Sequence, residues 1–126
     1  MVDLNSEIDR EMAQSQRLRL WAVTATLSRP MGELEAHLAG HFAFVRQQCA
    51  TGTIFAAGPL LSESEENVGN GLMIFRAETR QDVLDLLEQD PLYAQGVREY
   101  AVAAWQVNVG SITLNVDIGS SCGSVC

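Results

Sequence analysis

The sequence of 126 residues contains no lysine; all eight of its basic residues are arginines. That absence removes Schiff-base chemistry and the lysine on which a phosphate-binding P-loop depends. The 16 acidic residues leave a formal net charge of -8, so neither nucleic acid nor an anionic membrane surface is an expected partner. Cysteine is scarce and irregularly placed, at Cys49, Cys122 and Cys126. An odd count without framework spacing predicts a reducing compartment, and a cytoplasmic location is expected. No apolar run approaches the ~18 residues of a membrane span. The opening MVDLNSEIDREMAQ is charged and lacks the apolar stretch of a secretory signal. Histidine is rare too, with His37 and His41 as the two examples.

What remains is an ordinary globular composition, 47% hydrophobic and 19% charged, enough for one domain with a real core. Leu4, Ile8 and Met12 permit a short amphipathic helix in an N-terminal arm, residues 1–16. Residues 17–27, RLRLWAVTATL, predict a first strand that is apolar on both faces. Pro30 suits the first turn of the helix that follows. In that helix Leu34, Leu38, His41 and Val45 form one stripe, with Phe42 and Cys49 flanking it and His37 at its edge. Cys49 reads as packing. Gly52 is placed to stop the helix. Thr53 to Ala57 predicts a second strand, ended by a turn at Gly58-Pro59.

The stretch from Leu60 to Asn70 reads as an acidic loop. Its Glu63, Glu65 and Glu66 lack the alternating ligands and turn glycine of a metal loop, so a solvated role is expected. Asn70-Gly71 is a turn signal before a third strand, Leu72 to Ala77. Thr79 with Asp82 is a capping-box variant opening a helix that runs to about Gln89. Asp90 and Pro91 can cap and begin another helical turn. Ala101 to Val109 predicts the fourth strand, and Ile112 to Ile118 a fifth. The order strand, helix, strand, strand, helix, strand is the ferredoxin-like βαββαβ arrangement, an α+β class, over residues 17–110. Residues 111–126 are left as a C-terminal strand and a Ser/Gly/Cys tail. Helices cover one sheet face, and the other is expected to be apolar through residues such as Val23, Ile74 and Trp105. A homodimer with sheets face to face is therefore expected.

The run from His41 through Gly52 to Ala57-Gly58-Pro59-Leu60, followed by Asp90-Pro91-Leu92-Tyr93-Ala94-Gln95-Gly96, resembles the YCII-related family. The resemblance covers about residues 17–109 and implies a dimeric α+β barrel related to muconolactone isomerase. It also implies an active-site histidine–aspartate pair, which by position falls on His41 and Asp90. His37 stands one helical turn too far from the Gly-Pro turn to be that histidine. Most members of the family have no assigned reaction, and at least one is similar to enzymes that dehalogenate hydroxylated aromatic rings.

An imidazole bonded through one nitrogen to a carboxylate is a good proton acceptor at the other. His41 also reads as a core histidine bonded to a carbonyl, and Asp90 as a plain helix cap. The functional expectation is a cofactor-free lyase or isomerase that moves a proton on a small cyclic substrate, a hydroxylated aromatic or a lactone. His37, Gly58, Pro59, Leu60 and Tyr93 are the candidates to bind it, with Leu61 as an alternative wall. No metal is expected: His37 and His41 at i, i+4 lack a HExxH glutamate and a third ligand. Ser62 and Ser64 lack a triad pattern.

Cys122 and Cys126 in the small, polar tail admit a different reading. The chain would be a precursor peptide, a folded leader domain with a Ser/Cys core modified by partner enzymes. A non-catalytic small-molecule-binding module is the third expectation.

Overall fold

The computed structural model describes residues 3–11, 18–119 and, by their backbone, 123–125. Cys122 and Cys126, the expected modification sites, lie outside the described residues. The chain divides into two compact units. One is Arg19–Gln106; the other is formed by the flanking segments up to Leu18 and from Val107.

In the first unit, strands β1 (Leu18–Leu27), β2 (Ile54–Leu61), β3 (Asn67–Phe75) and β4 (Arg98–Val107) form one sheet in the order β2-β3-β1-β4. β3 is antiparallel to both of its neighbours. With the helices α2 (Met31–Ala50) and α3 (Arg80–Leu87) between strands, this is the ferredoxin-like α+β fold. A short helix, α4 (Pro91–Ala94), leads into β4. Both long helices cover the same face. Phe44 of α2 and Val83 and Leu87 of α3 pack with Trp21, Val23, Ile54, Met73 and Phe75 in one buried cluster.

Local signals explain the helix ends. The Thr79 hydroxyl accepts from the Asp82 amide at 3.1 Å, and the Asp82 carboxylate accepts from the Thr79 amide at 3.3 Å, a complete capping box. Gly52 takes φ +78°, which favours glycine, just after α2.

Several expectations change. Gly58-Pro59 is not a turn: β2 runs through it to Leu61, with Gly58 opposite Leu72 and Pro59 opposite Gly71. β2 is an edge strand, so the missing proline donor costs no ladder bond on its unpaired side, and the register shifts between Pro59 and Leu61. Asn70-Gly71 is likewise inside a strand, and the Asn70 side chain accepts from the Leu27 amide at 2.9 Å. The real turn lies at Ser62–Glu66, where Glu65 has φ +64°. Val23 faces the helices, because it pairs with core residue Met73; Ala22 and its partner Ile74 face the other way. On that second face Trp105 is 43% exposed. Along α2 the buried positions are Leu34, His41, Phe44 and Gln48, so Cys49 is exposed and not packed.

In the second unit, α1 (Leu4–Glu11) buries none of its side chains, and Asp3 caps it through the Asn5 amide at 3.1 Å. β5 (Leu114–Val116) does not extend the main sheet; it pairs antiparallel with β6 (Gly123–Val125). No helix among the described residues is long and apolar enough to cross a membrane.

Candidate active site

The three strands β1, β3 and β2 bring Ala25, Gly71 and Pro59 abreast on the helix-facing side. Three residues with little side chain in a row leave a hollow beneath α2. It is a cleft of about 350 Å³, roofed by Met31, Leu34, Leu38, Phe42 and Val45 and floored by Ala57, Gly58, Pro59 and Met73. His41, Arg98, Glu35 and Asn67 supply its polar side chains. Apolar walls with a few placed polar groups, at the small end of ligand-site volumes, suit a single-ring molecule.

His41 reaches the cleft from α2, and its other side meets α4. Gly40 makes that approach close: a Cβ there would stand 3.0 Å from the Pro91 ring. With Pro91 against the helix, the preceding Asp90 lies next to His41. The Nδ1 atom of His41 is 3.0 Å and 3.1 Å from the two Asp90 carboxylate oxygens. A carboxylate only accepts, so Nδ1 carries a proton, and in the uncharged imidazole the lone pair is on Nε2.

Asp90 is fully buried and fully used. Besides His41 it accepts from the Leu92 amide at 3.0 Å, as the cap of α4, and from the Tyr100 hydroxyl at 2.8 Å. The cap role and the histidine contact thus coexist on one side chain. Burial pushes the Tyr100 phenol well above its ordinary range; the charge of Asp90 and its hydrogen bond add to this, while Arg98 pulls partly back. The phenol therefore stays a donor to Asp90.

Of the sequence candidates, His41 and Asp90 are brought together, and Gly58 and Pro59 line the cleft. His37, Leu60, Leu61 and Tyr93 are not among its lining residues. His37 is one turn back on α2, Leu60 is 43% exposed, and Tyr93 stands edge-on to Tyr100 in the core with ring centroids 5.3 Å apart. Two contributors were missed, Tyr100 and Arg98. The alternation Arg98, Tyr100, Val102 carries the signal, since Tyr100 and Val102 pack against the core. It is legible once the strand starts at Arg98 and not at Ala101. Among the described residues no group of three histidine, cysteine, aspartate or glutamate side chains is placed to hold a metal ion.

Residues 20–106 match the model of the YCII-related domain. Among solved structures the chain is similar to 5-chloro-2-hydroxyhydroquinone dehydrochlorinase from Burkholderia phenoliruptrix AC1100, in complex with 2,5-dihydroxybenzoquinone. The similarity has a TM-score of 0.54 at 21% identity, over 68% of this chain and 92% of that one, and shows a shared fold. No protein of curated function matches the chain.

Proposed function

The chain belongs to the YCII-related family, and on that premise we propose that it is a cofactor-free lyase or isomerase acting on a small cyclic substrate. The observation that carries the reading is the His41–Asp90 pair, held at 3.0 Å with the imidazole at an apolar cleft. His41 Nε2 would take a proton from an acidic O–H or C–H of a hydroxylated aromatic or a lactone. The Asp90 carboxylate would orient the ring and stabilise the imidazolium that forms. In a lyase the electron pair released would expel a leaving group, such as chloride, from the ring. In an isomerase the same proton would return to a different carbon. The neighbour's name, a dehydrochlorinase of a hydroxylated aromatic, supports the first form.

A panel of chlorinated hydroquinones, phenols and lactones, read by chloride release and ultraviolet absorbance, should reveal turnover. His41→Ala should then lower it by about 10²–10⁴-fold, the usual worth of one general base. Turnover retained in full by that variant would refute the site.

We also propose that the protein works as a homodimer, a second copy covering the sheet face that carries the half-exposed Trp105. Sedimentation at micromolar concentration should give two chains per particle; a stable monomer would refute it.

A further inference from the structure

Arg98 is the one arginine among the residues that line the cleft. Its Nε donates to the Gly69 carbonyl at 2.8 Å, which fixes the plane of the guanidinium. Its two terminal nitrogens lie beside Gly71, 3.5 and 3.7 Å from where a Cβ on that residue would stand. Glycine at 71 therefore leaves room both for the cleft and for the guanidinium at its wall. Glu35 also lines the cleft, but among the described residues no carboxylate comes within ion-pair distance of Arg98. Arg98 thus stands in the cleft wall beside the Tyr100 phenol, a neutral neighbour, with no described carboxylate paired to it. A half-buried charge in such surroundings is costly unless something supplies the opposite sign.

We propose that Arg98 is the anion-binding residue of the cleft, and that its ligand carries a negative oxygen on or beside the ring: a phenolate, an enolate of a hydroxyquinone, or a carboxylate. This inference rests on the cleft being the substrate site. The fork of a guanidinium suits such oxygens, offering two N–H groups in one plane. Arg98 would hold the anionic oxygen while the imidazole of His41 faces the proton to be moved. The residue would thereby select anions over neutral rings of the same size.

Calorimetric titration of the full chain tests this with 2,5-dihydroxybenzoquinone, anionic at neutral pH, and hydroquinone, which is neutral there. Wild-type protein should bind the anion and bind the neutral ring at least about tenfold more weakly, with affinity for the anion falling as salt rises. Arg98→Gln should weaken anion binding by about 10–100-fold, the range of one hydrogen-bonded charge. Arg98→Lys, which keeps charge but loses the fork, should fall between. If Arg98→Gln does not fold, the lysine variant and the salt dependence carry the same test. Equal affinity in wild type and Arg98→Gln, equal binding of both probes, or no anion binding at millimolar concentration would overturn the inference. The two readings separate cleanly. Arg98-dependent anion binding without turnover on any substrate leaves this inference standing and removes the catalytic one. Activity lost in His41→Ala with anion affinity intact in Arg98→Gln does the reverse.

Discussion

The site has two ends built by opposite means. At the Asp90 end both carboxylate oxygens are occupied: one buried side chain serves His41, the Leu92 amide and Tyr100. At the Gly71 end side chains are withheld, with Ala25, Gly71 and Pro59 abreast and Arg98 set beside the gap. The first arrangement fixes an orientation and is bound up with folding. The second makes room and is bound up with affinity. Substitutions at the two ends should therefore separate stability from binding.

The largest effect is expected at the closed end. Asp90→Ala removes the acceptor from three donors and should destabilise the unit by about 3–5 kcal/mol in chemical denaturation, with loss of any His41-dependent turnover. Loss below about 1 kcal/mol would mean that water replaces the carboxylate without cost.

Tyr100→Phe, which removes one of the three donors, should cost about 1 kcal/mol at neutral pH. It also has a pH signature. The folded phenol is held above its unfolded value, so the unfolded chain loses its proton first. The contribution is fully present below about pH 10 and is lost as pH rises above it, through the folded value. Wild-type stability should fall more steeply with alkaline pH than that of Tyr100→Phe, and parallel curves would contradict the assignment. At the open end, Arg98→Gln loses the hydrogen bond to the Gly69 carbonyl and should still cost well under what Asp90→Ala costs, no more than about 1.5 kcal/mol, while altering anion affinity. A large loss of stability there would erase the contrast between the two ends.

Much of the fold was legible because its local signals are strong. The capping box at Thr79 and Asp82, the Pro91 start of α4 and the stripe containing His41 all act through neighbours in sequence. The pairing of His41 with Asp90 was not readable from spacing, since it spans 49 positions; it entered through the family's pattern. What misled was context that sequence does not carry. Gly58-Pro59 signals a turn anywhere except on a sheet edge, and β2 is an edge. Asn70-Gly71 reads as a hairpin, but its role is to hold the Leu27 amide and to clear the cleft floor. Starting the last strand at Ala101 hid Arg98 and Tyr100, whose importance depends on which face of β4 meets the core. His37, by contrast, is a histidine on the same helix as His41 that is not among the residues lining the cleft, although Leu34, Glu35 and Leu38 at its level are.

The central claim is that Asp90 holds the proton of His41 on Nδ1 and leaves Nε2 free toward the cleft. Nitrogen-15 NMR of histidine-labelled protein reads this directly, with His37→Gln used to assign the two rings. The uncharged imidazole of His41 should show a protonated Nδ1 and an unprotonated Nε2. A proton on Nε2 in that form would contradict the account, because that nitrogen could then accept none from a substrate.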